Sequence, residues 1–241
     1  MDPNQAATSF PPEPGESDRR IRSFARRQGR LTIGQSKALE SLWHRYGLNP
    51  GQALDPVAVF GRSAPLVLEI GYGNGDSLVS MAQNAPDTNF LGIEVHRPGV
   101  GHLLMKTQEK GLENLRTYCA DAIEVLMQDI PDGSLDRVQL FFPDPWHKTR
   151  HHKRRIVNPR FLDLLSRKLK DGGNFHAATD WAPYAEHMAE TLEAHPDFTP
   201  RYSQSPYCER PDYRPETKFE RRGQRLGHGV WDLIYQNHRR P

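Results

Sequence analysis

A buried strand that runs directly into a glycine-rich turn is the feature that most restricts the fold of this chain. Residues 66–70 are apolar apart from Glu69, and Gly71, Gly73 and Gly75 follow without a spacer. Continuous apolar runs of this length are typical of parallel strands that are covered on both faces. Glycines at such a turn let the backbone approach a ligand at the start of the next helix. The pattern therefore predicts an open α/β sheet with a ligand site after this strand.

The rest of the chain alternates strand and helix patterns. Further strands are predicted at 89–94, 115–120, 135–142 and 173–179, and helices at 35–46, 76–84, 99–110, 122–128, 159–169 and 182–194. Strands that alternate with helices indicate a mostly parallel sheet with helices on both faces. Two last candidates, 198–202 and 230–235, have no helical pattern between them and predict a terminal antiparallel pair. The expected sheet is seven-stranded.

Length and charge bound the organisation of the chain. Its 241 residues suit one α/β domain, which we expect over 35–241, preceded by a basic arm over 1–34 that we expect to be mobile. The two cysteines, Cys119 and Cys208, lack a paired spacing, so reduced thiols are expected. No apolar run is long enough for a membrane span, which favours a cytoplasmic protein. Because the net charge is only +2, any nucleic-acid surface has to be local.

Acidic residues end the predicted parallel strands in a repeated way. Ligands of open α/β sheets bind at the carboxyl ends of strands, near the switch in strand order. An acidic ring at that edge favours a cationic ligand over a phosphate. The residues are Glu69, Glu94, Asp121, Asp144 and Asp180.

The spacing of the glycine turn separates two classes of nucleotide cofactor. A dinucleotide fingerprint requires glycine or alanine where this chain has Asp76. A pyrophosphate would meet that carboxylate, whereas S-adenosylmethionine carries no phosphate and a positive sulfonium. We therefore expect S-adenosylmethionine, with Glu94 on the ribose hydroxyls, Asp121 on the adenine amino group and Glu69 near the methionine end.

These residues lie in segments that resemble one known family. The segments are Glu-Ile-Gly-Tyr-Gly-Asn-Gly (69–75), Ile-Glu-Val-His (93–96), Pro-Asp-Pro-Trp-His-Lys-Thr-Arg-His-His-Lys-Arg-Arg (143–155), Ala-Thr-Asp (178–180) and Thr-Lys-Phe-Glu-Arg-Arg-Gly (217–223). In order and spacing, residues 35–236 resemble the bacterial tRNA (guanine-N7-)-methyltransferases. The family typically has a basic residue where this chain has Thr149.

The resemblance implies the fold, the reaction and some site residues. It implies a Rossmann-like class I methyltransferase fold, S-adenosylmethionine as methyl donor, and guanosine 46 of the tRNA variable loop as acceptor, without an obligate protein partner. It points to Asp144 at the reacting centre. It also implies that Thr217, Lys218, Phe219 and Glu220 complete the substrate site. The Pro, Gly and Arg content of residues 205–229 separately predicts a mobile loop there.

The chemistry of guanine N7 sets the role expected of Asp144. N7 is an in-plane lone pair without a hydrogen, so methylating it needs no general base. A carboxylate beside the guanine accepts its N1–H and amino hydrogens and favours the positive charge that develops on the ring. Pro143 and Pro145 restrict the backbone around this carboxylate, and Trp146 offers a flat face for stacking.

A basic segment follows this motif directly. We expect Lys148 to reach the substrate nucleotide, and Asp180 to share the guanine or methionine pocket. Because a dense positive run adjoins an aromatic residue and a strand-end carboxylate, we expect it to hold tRNA phosphates. The remaining residues of the run are Arg150, His151, His152, Lys153, Arg154 and Arg155. Its histidines lack a completing ligand set, so no metal site is expected.

Three alternatives remain open. An RNA amino-group methyltransferase, acting on guanine N2 or adenine N6, would use an Asp-Pro-Pro-aromatic loop, whereas this chain has one proline between Asp144 and Trp146. A nicotinamide-dependent oxidoreductase is disfavoured by Asp76. A non-catalytic RNA-binding module would explain the basic run but not the glycine turn with acidic strand ends.

Overall fold

The structure is a computed structural model, and we describe residues 10, 24, 29–202, 205–217, 220 and 229–238. The helices are α1 (Ile33–Tyr46), α2 (Pro56–Phe60), α3 (Asp76–Asn84), α4 (Arg97–Glu109), α5 (Ala122–Gln128), α6 (Pro159–Lys168) and α7 (Ala182–Glu193). The strands are β1 (Gly47–Leu48), β2 (Leu66–Ile70), β3 (Asn89–Ile93), β4 (Leu115–Tyr118), β5 (Leu135–Phe141), β6 (Leu169–Thr179), β7 (Phe198–Pro200) and β8 (Trp231–Asn237). A 3-10 helix, Thr149–Arg154, lies between β5 and α6.

The strands form one sheet in the order β1-β4-β3-β2-β5-β6-β8-β7. The pairs from β1 to β6 are parallel, whereas β6 with β8 and β7 with β8 are antiparallel. This confirms the mostly parallel sheet and the C-terminal antiparallel pair. The strand order reverses between β2 and β5, so the first central strand lies at the switch point.

The sheet has eight strands where the sequence predicts seven. The additional strand, β1, contributes only Gly47 and Leu48, which pair with Thr117 and Tyr118 at the edge of the sheet. A strand of two residues has no alternation that a sequence pattern can reveal. Two short helical segments, α2 and the 3-10 helix, lie where the sequence predicts neither helix nor strand, because so few turns show no helical periodicity.

Hydrophobic cores lie on both faces of the sheet. Leu68 of β2 packs in a cluster with residues of α5, α6 and α7. Val67 points to the opposite face and packs with residues of α1, α3 and α4. Since every residue of β2 is buried, the helices cover the switch point from both sides and leave the strand ends as its open edge.

Helix α1 begins at Ile33, two residues before the predicted start of the domain. Its start is fixed by a capping box, in which Thr32 and Gln35 exchange side-chain-to-backbone hydrogen bonds. Most of the predicted N-terminal arm lies outside the described residues. Phe10 packs edge-on against Trp43 of α1, with 4.7 Å between ring centroids. No helix among the described residues is long and apolar enough to cross a membrane.

Candidate active site

The predicted strand-end carboxylates lie along one edge of the sheet. Glu69 is the last residue but one of strand β2, Glu94 follows β3, Asp121 follows β4, Asp144 follows β5, and Asp180 follows β6. Because these five strands are parallel neighbours in the sheet, their carboxyl ends share an edge. The sheet brings the predicted set together, with Glu69 at its centre.

Glu69 is a buried carboxyl group, with 3% of the residue exposed. Burial raises the pKa of Glu69 to about 8, Glu94 acts in the same direction, and Arg137 opposes both. Within the described part of the chain, no group donates a hydrogen bond to its Oε2 atom. A buried acceptor without a donor is costly unless a ligand supplies one, so this atom fits a cationic or N–H-bearing ligand.

The glycine turn lies at the same edge of the sheet as Glu69. Gly71, Gly73 and Gly75 have φ angles of 72°, 61° and 79°, a region that strongly favours glycine. Apart from its chain neighbours, no described atom lies within 4 Å of the position of a β-carbon on Gly73. The turn therefore leaves open space in which a ligand can contact the main chain.

Glu94 ties the end of β3 to this turn. Its Oε2 accepts a hydrogen bond from the amide of Gly73 at 2.8 Å, and its Oε1 accepts from Val95 and His96 at 2.7 and 2.9 Å. A carboxylate has about four acceptor positions, so about one remains for a ribose hydroxyl. The position of Glu94 in the sequence predicts a contact with both ribose hydroxyls, and no local sequence signal reveals these backbone donors.

Asp121, which follows strand β4, caps the start of a helix. It is the N-cap of α5, where its Oδ1 accepts a hydrogen bond from the amide of Ile123 at 2.9 Å. This bond fixes the orientation of the side chain at the strand end. The proposed contact with an adenine amino group would use the remaining acceptor positions.

A close approach between α4 and the turn gives a first prediction. A β-carbon on Gly99 would lie 2.1 Å from the carbonyl oxygen of Gly73, which is a backbone atom that cannot move alone. Gly99→Ala is therefore expected to displace the turn and weaken S-adenosylmethionine binding at least tenfold, measured by calorimetry. Gly34→Ala is the control, since its β-carbon would meet Met105 at 3.5 Å, an ordinary contact. Unchanged affinity in Gly99→Ala would separate this contact from the ligand site.

The Pro-Asp-Pro-Trp loop is held in an unusual backbone conformation. Phe142 and Trp146 have φ angles of 51° and 48°, a region that non-glycine residues rarely adopt. Such positions cost on the order of 1 kcal/mol each and cluster at functional sites. Between them, Asp144 is exposed at the open edge of the sheet. The loop therefore presents its carboxylate to solvent from a constrained backbone.

Arg155 supports this loop from below. The residue is 5% exposed, its Nε donates to the carbonyl oxygen of Pro145 at 3.0 Å, and its guanidinium lies 4.8 Å from the Tyr184 ring centroid. The sequence analysis assigns Arg155 to RNA binding. Its burial leaves little surface for a phosphate, so its geometry fits loop support better.

The other members of the basic segment lie on or near the surface of the 3-10 helix. Lys148, Arg150 and Lys153 are exposed. Arg154 is half-buried, lies 4.0 Å from the Trp146 ring centroid, and donates to the carbonyl oxygen of Phe24 at 3.2 Å. Cation–π packing of this kind fixes the tryptophan beside Asp144.

The two histidines of the segment are half-buried. Partial desolvation, with added repulsion from Arg150 and Arg154, lowers the pKa of His151. This shift favours the neutral form of His151. Nε2 of His152 is 3.2 Å from the guanidinium of Arg155.

The segment implied to complete the substrate site is described only in part. Lys218 and Phe219 lie outside the described residues. Thr217 and Glu220 exchange hydrogen bonds between side chain and backbone, at 3.1 and 3.2 Å, and Glu220 is 2% exposed. Asp180 is exposed after β6. The neighbouring Trp181 packs edge-on against His147, with 4.4 Å between ring centroids.

The region 205–217 differs from the mobile loop that the sequence predicts. Cys208 pairs with Asp232 of β8, and Arg214 is fully buried. Arg214 hydrogen-bonds Glu220 and Asp232, and Asp232 also hydrogen-bonds His176. His176 contacts the hydroxyl of Tyr213, whose ring centroid lies 3.9 Å from the Arg137 guanidinium. Of this network, the sequence predicts only Glu220 as a site residue. The loop composition around Arg214 gives no signal of burial.

Comparison with known proteins identifies the family of the chain. A family model described as "Putative methyltransferase" matches residues 63–233. A tRNA (guanine-N(7)-)-methyltransferase of Alcanivorax borkumensis is 59% identical over 226 residues, which are 93% of this chain and 95% of that relative. The chain belongs to the tRNA (guanine-N7-)-methyltransferase family. The resemblance carried by the sequence motifs is confirmed.

Other relatives agree with this membership of the tRNA (guanine-N7-)-methyltransferase family. One of the same name from Shewanella amazonensis is 60% identical over 225 residues, covering 93% of this chain and 94% of the relative. The crystal structure of a 16S rRNA methyltransferase, KamB, superposes with a TM-score of 0.54 at 17% identity. It covers 78% of this chain and 95% of that one. This likeness confirms the class I methyltransferase fold.

Proposed function

We propose that the protein transfers a methyl group from S-adenosylmethionine to N7 of a guanosine in tRNA, giving 7-methylguanosine. The observation that carries the proposal is the exposed Asp144, which a strained loop presents at the sheet edge shared with the buried Glu69, directly before the basic segment. The names of the relatives support the same reaction.

The residues present fit S-adenosylmethionine. Glu69 offers a buried oxygen without a hydrogen-bond donor, suited to the positively charged methionine end. The turn is open at Gly71 and Gly73, where a ligand can contact the backbone closely. Glu94 retains acceptor capacity for a ribose hydroxyl, and Asp121 for the adenine amino group. When bound, S-adenosylmethionine supplies a methyl group on a cationic sulfur.

The chain's own contribution is orientation and charge. The N7 lone pair forms the new bond to carbon, the carbon–sulfur electron pair stays on sulfur, and no proton has to be removed. Asp144 accepts hydrogen bonds from the guanine N1–H and amino group and stabilises the cationic purine that results. Trp146, held by Arg154, supplies an aromatic face beside the base. Lys148 and Asp180, both exposed near this loop, complete the pocket.

The exposed part of the basic segment carries the tRNA contact in this proposal. Arg150→Ala combined with Lys153→Ala is expected to weaken tRNA binding about tenfold. The slope of log Kd against log salt concentration should fall by about one to two, because two cations no longer contact phosphates. Affinity for S-adenosylmethionine should not change. Lys110→Ala with Lys170→Ala is the control pair, because both lysines are exposed at the opposite edge of the sheet. An identical salt slope in the test and control pairs would contradict the assignment.

The reaction is tested by its product. Unmodified tRNA is incubated with the protein and methyl-labelled S-adenosylmethionine, digested to nucleosides and separated by chromatography. We expect the label in 7-methylguanosine. Label in N2-methylguanosine or N6-methyladenosine would favour the amino-group alternative, and affinity for a nicotinamide dinucleotide alone would favour an oxidoreductase.

Three finer points belong to the proposal. From the family resemblance we propose guanosine 46 of the variable loop as the position, the cytoplasm as the compartment, and activity without a partner subunit. Mapping the modified position in tRNA methylated by the purified chain alone tests the first and the last together. Modification elsewhere, or activity only after adding a cell extract, would contradict them.

A further inference from the structure

A buried arginine joins two carboxylates beneath the proposed substrate site. Arg214 is fully buried, and its Nη1 and Nη2 donate to the carboxylate of Glu220 at 2.8 and 2.7 Å. Its Nε and Nη2 also donate to the carboxylate of Asp232, at 2.7 and 2.8 Å. The guanidinium therefore forms a bidentate interaction with each carboxylate. Its planar arrangement of N–H donors allows this geometry, whereas an ammonium group does not.

The network continues into the sheet. Nε2 of His176 on β6 lies 2.7 Å from Oδ1 of Asp232 on β8, and its Nδ1 lies 2.9 Å from the hydroxyl of Tyr213. Burial lowers the pKa of His176, so the ring is neutral. The Tyr213 hydroxyl donates to Nδ1, and Nε2–H donates to Asp232. His176 on β6 thereby fixes the carboxylate of Asp232 on β8, and the two antiparallel strands end together at the site edge.

The arginine also touches the loop that carries Asp144. Its guanidinium lies 5.7 Å from the ring centroids of both Phe141 and Phe142. Phe142 is the residue in the left-handed region with which that loop begins. Glu220, which the Arg214 guanidinium also binds, exchanges hydrogen bonds with Thr217. Arg214 therefore lies where two segments of the proposed substrate site meet.

Buried charge networks contribute little net stability compared with apolar packing, so their value lies in fixing one arrangement. We propose that Arg214 is a positioning residue, which sets the substrate pocket by holding Glu220, and through it Thr217, against β8 beside the Asp144 loop. Glu220 then acts through Arg214 and not through direct contact of its carboxylate with the nucleotide. This inference rests on the proposed function of the site and names residues that act behind it.

The test uses two conservative variants, Arg214→Lys and Glu220→Gln, in the full chain. The control is Lys168→Met, which removes a buried cation paired with Asp132 at the opposite end of β6. All are assayed at a temperature at which circular dichroism shows them folded. Three quantities are measured: the Kd for S-adenosylmethionine, the KM for tRNA, and kcat.

We expect both test variants to lose at least 30-fold in kcat, with tRNA KM and cofactor Kd within about threefold of wild type. A pocket out of position slows methyl transfer, whereas phosphate contacts and the methyl-donor site remain. Lys168→Met should lower the melting temperature without lowering kcat. The proposal is overturned if Arg214→Lys and Glu220→Gln keep kcat within threefold, or if Lys168→Met loses as much. Failure of the wild type to form 7-methylguanosine would instead refute the proposed function.

Discussion

Asp144→Ala is expected to lower kcat for methyl transfer to tRNA by about 100- to 1,000-fold, the size seen when a preorganised electrostatic group is removed. The side chain both orients guanine and favours its developing charge, and an alanine does neither. Since Asp144 is exposed, the free energy of unfolding should change by only about 0.5 kcal/mol. Steady-state kinetics with saturating S-adenosylmethionine, combined with thermal denaturation, measures both effects.

Two comparisons sharpen this prediction. Asp144→Asn keeps one acceptor oxygen but loses the charge, so its kcat should fall between those of wild type and Asp144→Ala. Asp171→Ala removes another exposed carboxylate, near the amino end of β6 and away from the site, and should leave kcat unchanged. A kcat for Asp144→Ala within threefold of wild type would remove this residue from the chemistry.

Glu69→Gln is expected to change stability and ligand binding in opposite directions. The folded-state pKa of Glu69, about 8, lies above its ordinary value of 4.5, so the folded protein holds the proton more tightly than the unfolded chain. Wild-type stability from this group is therefore fully present below about pH 4.5 and is lost as the pH rises through about 8. The glutamine variant has no such titration. Without ligand it should become the more stable protein by pH 8, by up to about 4 kcal/mol.

In contrast to stability, binding of S-adenosylmethionine should favour the wild type over Glu69→Gln. The ionised carboxylate faces the cationic methionine end in the proposed complex, so Glu69→Gln should weaken S-adenosylmethionine binding about 100-fold, on the order of 3 kcal/mol. Asp129→Asn is the control, since Asp129 is another buried carboxylate, at the end of α5, and hydrogen-bonds Gly51. Denaturant unfolding at several pH values and calorimetry at pH 8 supply the data. A pH-independent stability difference would contradict the raised pKa of Glu69, and unchanged affinity in Glu69→Gln would show that the carboxylate does not serve the ligand.

Much of the fold follows from local sequence pattern. Helix α5 has the predicted bounds, and β2 with its glycine turn lies where the apolar run predicts it. Parallel strands can be predicted from the sequence because burial on both faces makes the whole run apolar. In contrast, β6 begins at Leu169, before the predicted Gly173, because Lys170, Asp171 and Gly172 are exposed and interrupt the apolar run.

The candidate site could be predicted where acidic residues recur at the ends of strands. It could not be predicted where it depends on contacts between residues that are distant in the sequence. The acidic strand ends are visible because parallel topology brings them to one edge. The partners of Arg214 are 6 and 18 residues away in sequence, and nothing local reveals that this arginine is buried. For the same reason, Arg155 resembles its exposed neighbours in the sequence, although it lies under the Asp144 loop.

The most direct test of N7 as the acceptor is a tRNA transcript in which 7-deazaguanosine replaces guanosine. This base keeps the N1–H and amino group that Asp144 recognises, but it has a carbon–hydrogen group in place of the N7 lone pair. Competition against the guanosine transcript establishes that the enzyme binds it. The account predicts that the deaza transcript competes for the enzyme and accepts no labelled methyl group. Methyl incorporation at a rate close to that of the guanosine transcript would contradict it.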